Sequence, residues 1–270
     1  MFLEFCVSNY LSIKDELKLS FVASTLRENL SEPNDTIPLS DTGISLLRSA
    51  VIYGANASGK SNLLKAISFY KRFIADSFKD SQAGEHIGVE NFRLNSTTAG
   101  EPTTMEATFT NGDTIYRYGF EVTDTAVCTE WLYQRANRKR AKEVEIFYRE
   151  NKSTAVHSKS SLLQELVNKK MVRDNALLLS TAAQFNDPKA VAILQWLNDM
   201  QVLFCSEDEK LWQQAIKHLD DEVLRNRITA FAKYADLGIE SITKIDNRIV
   251  SNYRQYDDNG KEINNVAFSF

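Results

Sequence analysis

The chain has 270 residues, of which 43% are hydrophobic and 25% charged, and its formal net charge is −4. These values are typical of a globular protein with a sizeable core, and the acidic balance gives no sign that the molecule as a whole binds nucleic acid. Three scattered cysteines without a CxxC pair argue against a disulfide framework or a zinc site. The sequence shows neither a secretion signal nor a membrane span, so we expect a cytoplasmic protein.

The N-terminal third of the chain predicts a strand–loop–helix unit. Alternating apolar and polar residues predict strands within 2–9 and 11–24, and the stretch 24–47, with Pro33 and Pro38, is predicted to be loop. RSAVIYG, residues 48–54, is predicted to be a short apolar strand. The following SNLLKAISFYKRFIADSF has apolar residues at helical spacing, so a helix is expected over 61–78.

In the rest of the chain the predicted secondary structure changes twice, from antiparallel strands to helices and back to strands. Residues 103–149 predict an antiparallel meander of four strands, and Asn111-Gly112 is a strong signal for the turn of its first hairpin. Residues 159–236 are predicted to be largely helical, with Pro188 at a favoured first-turn position. Strands return after Gly238, in ESITKIDNRIV, YRQYD and INNVAFSF.

A phosphate-binding pattern lies between the predicted strand and helix. The pattern GxxxxGK[ST] is met by Gly54, Ala55, Asn56, Ala57, Ser58, Gly59, Lys60 and Ser61. Its glycines let the backbone wrap tightly and aim N–H groups at phosphate oxygens, and the helix adds its positive N-terminal end. Lys60 is expected to reach the β- and γ-phosphates, and Ser61 to supply a hydroxyl to Mg²⁺. We include the next residue, Asn62, in the predicted ATP site, since strand and helix together favour a nucleotide site over a chance turn.

Hydrolysis also needs an acidic residue on a strand end to help hold Mg²⁺. No apolar strand in the sequence ends in Asp-Glu or Asp-Asp. Asp220, Asp221 and Glu222 lie inside a helical stretch and are interpreted as a solvated N-terminal turn of a helix. We therefore expect the chain to carry half of a catalytic site, with Lys60 as its catalytic cation.

These motifs resemble a known group of ATPases. The opening MFLEFCVSNYLSIKDELKLSF, followed after a long loop by VIYGANASGKSNLLKAI, resembles the N-terminal part of ABC-type ATPases of the SMC/RecF/OLD branch, especially RloA-like AAA-family proteins of abortive-infection and anti-phage systems. EPTTMEATFTNGDTIYRYGFEV fits the same pattern, and the resemblance is good over 1–123 and loose over 124–270. Leu11 stands where these proteins have Arg, which puts a phosphate or adenine contact in doubt, while Asn9, Ser12 and Lys14 of the opening motif are present. They continue into a signature motif and a Walker B strand that this sequence lacks, so we expect either an N-terminal piece or a lobe supplied from elsewhere.

The resemblance implies a fold and a division of the chain. The expected fold class is α/β, a P-loop NTPase of ABC-ATPase type with an antiparallel β subdomain and a helical insertion. The expected segments are an ATPase lobe at 1–100, the β subdomain at 101–150, the insertion at 151–238 and return strands of the core at 239–270.

The resemblance also implies a mechanism and partners. Two ATPase heads of a homo-oligomer are expected to sandwich ATP and Mg²⁺, and to control an effector such as a nuclease-like toxin. A Gln links Mg²⁺ and the attacking water in such enzymes. Gln184, which follows an apolar, strand-like run in NALLLSTAAQFND, is the candidate, although a polar residue that caps a buried segment is an equal reading.

One charged run remains outside this scheme. Residues 135–142, RANRKRAK, place five cations at a predicted hairpin tip. These cations either contact DNA or RNA phosphates or form a solvated loop. The net negative charge of the whole chain favours the solvated loop.

We therefore expect an ATP-binding subunit of an anti-phage complex. The alternatives are a RecF/SMC-like DNA-repair ATPase, which DNA would stimulate, and a scaffold that binds nucleotide without hydrolysing it. The defence role rests on the resemblance alone.

Overall fold

The computed structural model describes residues 1–24, 35–39, 42–79, 82, 84–95, 98, 100–150, 157–204, 213, 215–235, 239–246, 248–256, 259 and 261–269. The chain forms two units, Met1–Val202 and Leu203–Phe270. The elements of the first unit are β1 (Phe2–Ser8), β2 (Leu17–Ser20), β3 (Thr36–Pro38), β4 (Ser45–Leu47), α1 (Lys60–Asp76), β5 (Thr103–Asn111), β6 (Thr114–Val122), β7 (Val127–Ala136), β8 (Val144–Glu150), β9 (His157–Ser158), α2 (Ser161–Asn168), α3 (Leu178–Gln184) and α4 (Pro188–Asp199).

A seven-stranded antiparallel sheet organises the first unit, in the order β2-β1-β5-β6-β7-β8-β9. Burial alternates along β1 and along most of β5, as expected for strands with one face on the core. The hairpin predicted at Asn111-Gly112 is confirmed, with Gly112 at φ 57°. Strands from the 1–100 and 101–150 segments thus lie in one sheet.

Helix α1 covers the core face of this sheet. Its buried face includes Ile67, Tyr70 and Phe73, and the Tyr70 ring stacks on Phe120 of β6 at 5.4 Å. On α4, Trp196 stacks on Phe109 of β5 with ring centroids 4.1 Å apart. Aromatic pairs of this kind contribute stability beyond their buried area, so the sheet fixes the position of α1 and of the loop that precedes it.

Two buried tyrosines continue this core into a polar network. The Tyr70 hydroxyl donates to the Tyr118 carbonyl at 3.0 Å, and the Tyr118 hydroxyl donates to a Glu130 oxygen at 2.8 Å. Burial raises the pKa of both tyrosines well above the ordinary value.

Glu130 joins the sheet to α3. Its carboxylate, on β7, is fully buried and accepts hydrogen bonds from the backbone N–H groups of Leu178 and Leu179 at 2.7 and 2.9 Å. Arg149 of β8 lies 3.0 Å away and also donates to the Ala176 carbonyl at 2.7 Å. The carboxylate therefore caps the N-terminus of α3, which lacks a cap of its own.

Three sequence-based expectations are wrong in this unit. The stretch 24–47, predicted as loop, contains the β3–β4 hairpin, whose pairing joins Thr36 to Leu47. The apolar run before Gln184 is helix α3, because Glu130 satisfies its first N–H groups from a distant strand. RSAVIYG forms no strand: Val51 is 70% exposed and Tyr53 87% exposed, and no backbone hydrogen bond joins residues 49–53 to any other described residue.

The second unit holds α5 (Glu222–Tyr234) and a sheet of β10 (Ile239–Ile245), β11 (Arg248–Tyr256) and β12 (Glu262–Ser269) in that order. Asp221 caps α5, since its carboxylate accepts from the Val223 and Leu224 N–H groups at 2.8 and 3.1 Å. This confirms the interpretation of Asp221 as part of a helix N-terminal turn. Gly238, after which strands are predicted to return, lies outside the described residues.

Within the described parts of the chain, no helix has the length and apolarity that crossing a membrane requires.

Candidate nucleotide-binding site

The phosphate-loop segment turns tightly into α1. Ser58 N–H donates to the Ala55 carbonyl at 3.2 Å, Ala57 is left-handed at φ 64°, and Gly59 follows at φ 92°. A side chain is strained at φ 92°, so glycine at position 59 is a conformational requirement. A Cβ at Gly59 would also lie 3.1 Å from the Ser12 hydroxyl.

The N-terminus of α1 is open for an anion. Gly59 is the N-cap residue and supplies no side-chain cap. Among the described residues, the N–H groups of Gly59, Lys60 and Ser61 donate no hydrogen bond. Free N–H groups at the positive end of a 17-residue helix are the usual setting for a bound phosphate.

Lys60 folds back over the loop. Its Nζ donates to the carbonyls of Gly54 and Ala55, both at 2.7 Å, and lies 3.4 Å from the Ser58 hydroxyl. The ammonium group thus lies at the mouth of the turn and neutralises carbonyl oxygens there. Phosphate oxygens can replace these carbonyls as acceptors, and the bonds would then be charge-assisted on both sides.

A second wall of the site comes from the turn after β1. A cavity of about 450 Å³ lies between residues 12–17 and the segment around Ser58, Gly59 and Lys60. Asn62 Nδ2 donates to the Ser12 hydroxyl at 2.7 Å and so ties this wall to α1. Asp15, Glu16 and Tyr53 also line the cavity. Sequence reasoning missed these three, because no local pattern relates residues so far apart along the chain.

Asn9 holds that second wall in place. Its backbone is left-handed at φ 52°, and its buried amide donates to carbonyls of Thr98, Glu101 and Pro102 at 3.0, 2.8 and 3.3 Å. Its carbonyl oxygen accepts from Phe92 N–H at 3.1 Å. Both ends of the amide are therefore used to fix the turn that carries Ser12.

The structure brings together the predicted residues from Gly54 to Asn62 in one turn and one helix start. It does not bring Gln184 to them. Ser180, four residues earlier in α3, accepts from Phe78 N–H just beyond the C-terminal end of α1. The phosphate loop lies at the other end of α1, about 25 Å away for 17 residues. The Mg²⁺ role of Gln184 stays a prediction without a supporting contact.

The residues present fit a nucleotide phosphate chain with Mg²⁺ on one side. The free N–H groups and Lys60 match an anion, and the exposed Ser61 hydroxyl at the helix start is a hard oxygen ligand of the kind that Mg²⁺ accepts. In the described part of the chain, no group of three or more His, Cys, Asp or Glu residues converges in a way that could hold a metal ion.

Comparison with protein families agrees with this chemistry. Residues 49–181 match the model of a family described as "AAA domain, putative AbiEii toxin, Type IV TA system". The matched region starts ahead of the phosphate loop and ends within α3, so it includes residues 54–62 of the candidate site but not the wall at Ser12–Leu17. The match supports a P-loop ATPase of the AAA class. A comparison with curated proteins finds no match.

Proposed function

We propose that this chain binds ATP with Mg²⁺ at residues 54–62 and serves as the nucleotide-binding side of an ATPase head in a bacterial defence system. One observation carries the proposal. The glycine turn delivers the uncapped N-terminus of α1, with its free N–H groups, directly beside the ammonium group of Lys60. Such a constellation is built for a polyphosphate.

The roles follow from the geometry. The N–H groups at the start of α1 hold phosphate oxygens, Lys60 moves from the loop carbonyls onto the β- and γ-phosphates, and Ser61 offers its hydroxyl to Mg²⁺. The metal, when bound, supplies charge neutralisation between the phosphates. The wall at Ser12–Leu17 bounds the cavity on the side away from the loop.

Turnover requires groups beyond this constellation. Phosphoryl transfer needs an acid that holds the metal and a group that positions water, and the turn and helix start supply neither. We propose that a second head completes the site, so that ATP is sandwiched between two chains and its binding drives their association. ABC-type architecture and control of a toxic effector belong to the same proposal.

The defence role is supported by the printed description of the family that residues 49–181 match, which names a putative toxin of a toxin–antitoxin system. This support for the defence role comes from similarity to a family, whereas the geometry of the site supports only nucleotide binding.

Lys60→Ala tests the proposal. Lys60 is the half-buried first residue of α1, and its ammonium group contacts only the phosphate loop, so its removal deletes the phosphate cation and leaves the core unchanged. We expect ATP affinity, measured by calorimetry in Mg²⁺ buffer, to fall at least about 100-fold, which is roughly 2.7 kcal/mol. ATP-dependent association, followed by sedimentation, is lost in parallel. In cells that carry the native locus, the same substitution removes protection against phage.

The matched control is Lys65→Ala. Lys65 is an exposed lysine of the same helix, so the variant loses the same charge and should bind ATP as the wild type does. Wild-type protein that takes up no ATP would refute the nucleotide site. Tight binding without ATP-dependent association would refute the sandwich and favour a nucleotide-binding scaffold.

A further inference from the structure

The β7–β8 hairpin presents a concentrated positive charge. Residues 135–142 include five cations and no acid, whereas the whole chain has a net charge of −4. Arg138, Lys139, Arg140 and Lys142 are exposed, and Arg135 is half-buried at the base of the hairpin. A block of positive charge thus lies at one loop of an acidic chain.

The described residues leave this charge unneutralised. Within them, no carboxylate forms an ion pair with any of the five cations. The nearest acid along the hairpin, Glu143, is already committed to Arg117, through two hydrogen bonds of 2.7 and 3.1 Å. The described part of the hairpin therefore leaves these bases available to an external anion, as blocks of like charge in interaction segments often are.

The hairpin tip is also held in a defined shape. Asn137 N–H donates to the Asp113 carbonyl of the neighbouring β5–β6 turn at 2.8 Å, and Arg138 N–H donates to the Ala136 carbonyl at 2.8 Å. Arg140 adopts a left-handed backbone at φ 55°. Two strands and two turns therefore support the loop, which reduces the conformational entropy that binding would cost.

The cations surround a cleft. A depression of about 720 Å³ is lined by residues 134–136 and 138–142 together with Thr114 and Val144. Apart from Val144 and two alanines, its lining is polar or cationic, which suits a highly charged and hydrated ligand. Three of the five cations are arginines, whose planar guanidinium groups bind phosphate oxygens in pairs.

We propose that residues 134–142 form a docking surface for the phosphate backbone of a nucleic acid. The cations contact successive phosphates along one strand and leave the base edges unread, so binding is independent of sequence. A two-stranded hairpin is narrow enough for a duplex groove about 12 Å wide, and a single strand would present the same phosphates. The proposal is independent of the nucleotide site at residues 54–62.

The test is a charge-neutralising triple variant, Arg138→Gln, Lys139→Gln and Arg140→Gln. Fluorescence anisotropy measures the affinity for labelled duplex DNA, single-stranded DNA and duplex RNA of equal phosphate number, without ATP. With three or more phosphate contacts, wild-type affinity should fall about 40-fold or more between 50 and 200 mM salt. The triple variant should bind at least about tenfold more weakly at 50 mM, with a salt slope shallower by about 2.7.

The matched control is Arg93→Gln, Lys169→Gln and Lys217→Gln, which removes the same charge from other exposed positions and should bind as the wild type does. Lys60→Ala should also bind nucleic acid normally, which separates this surface from the ATP site. The ranking of the three nucleic acids identifies the natural source. The proposal is overturned if the wild type binds none of them, if both triple variants weaken equally, or if polyglutamate of equal charge competes as well as nucleic acid.

Discussion

At the scale of single residues, the site depends on the backbone conformation of Gly59. Gly59→Ala places a Cβ on a residue at φ 92° and 3.1 Å from the Ser12 hydroxyl. We expect a loss of about 1–3 kcal/mol in the free energy of unfolding, or a shift of the turn that relieves the strain. Either outcome displaces the free N–H groups, so ATP affinity should fall at least about tenfold. Urea denaturation and calorimetry measure the two effects.

Gly100→Ala is the control for this substitution. A Cβ there meets no atom within 4 Å, and the φ of Gly100 lies outside the positive range that disfavours side chains. The variant should keep both stability and ATP affinity. Equal behaviour of the two variants would show that the turn at Gly59 tolerates a side chain and that its conformation does not set the site.

At the scale of elements, α3 is anchored by one buried carboxylate. Glu130→Gln removes the charge that faces Arg149 and weakens the cap on the N–H groups of Leu178 and Leu179. Because Arg149 would remain buried without a counter-charge, we expect the free energy of unfolding to fall by about 3–5 kcal/mol. Glu143→Gln breaks a half-exposed pair with Arg117 and should cost about 1 kcal/mol or less.

Comparing Glu130→Gln with a double variant tests how much of the lost stability comes from the unpaired charge of Arg149. Adding Arg149→Met to Glu130→Gln removes the unpaired charge and should restore part of the lost stability, as replaced buried ion pairs do. Denaturant unfolding of the two single variants and the double variant measures the coupling. A double variant that is less stable than either single variant would mean that Arg149 acts mainly through its bond to the Ala176 carbonyl.

The elements also show what sequence could foresee. Local signals gave the helix after the phosphate loop, the hairpin at Asn111-Gly112 and the start of α4 at Pro188, because each depends on residues near in sequence. The strand at 48–54 was wrong because a strand needs partners, and partners are set by the whole fold. The Glu130 cap on α3 was missed for the same reason: it joins residues 48 positions apart.

The residues of the candidate site also fall into two groups, those that a contiguous pattern predicts and those that only the fold brings together. Its glycines, Lys60 and Ser61 follow from a contiguous pattern and could be named from sequence. Asn9, Ser12 and Lys14 could be named only through the resemblance of the opening motif. The place of the Ser12–Leu17 wall beside the loop could not be predicted, since it depends on the Asn9 amide and on the bond from Asn62 to Ser12.

At the scale of the whole molecule, the two buried tyrosines limit the pH range of the folded state, because they lower its stability at alkaline pH. The pKa of Tyr70 and that of Tyr118 are raised in the folded state, so the unfolded chain loses these protons first as pH rises. Stability is therefore retained below about pH 10 and falls above it, by up to about 1.4 kcal/mol per pH unit for each tyrosine. Denaturant unfolding between pH 8 and 11 should show this decline. In Tyr70→Phe it should be shallower, and an unchanged slope would contradict the assignment.

The bare apolar segment Val51–Tyr53 leads straight into the phosphate turn. A surface that covers this segment would immobilise the residues that lead into the turn. It would thereby reduce the conformational entropy that ATP binding costs. The two events must then reinforce each other by the same factor, whichever happens first. The ATP affinity of the chain would in this way depend on whether these three hydrophobic side chains are covered.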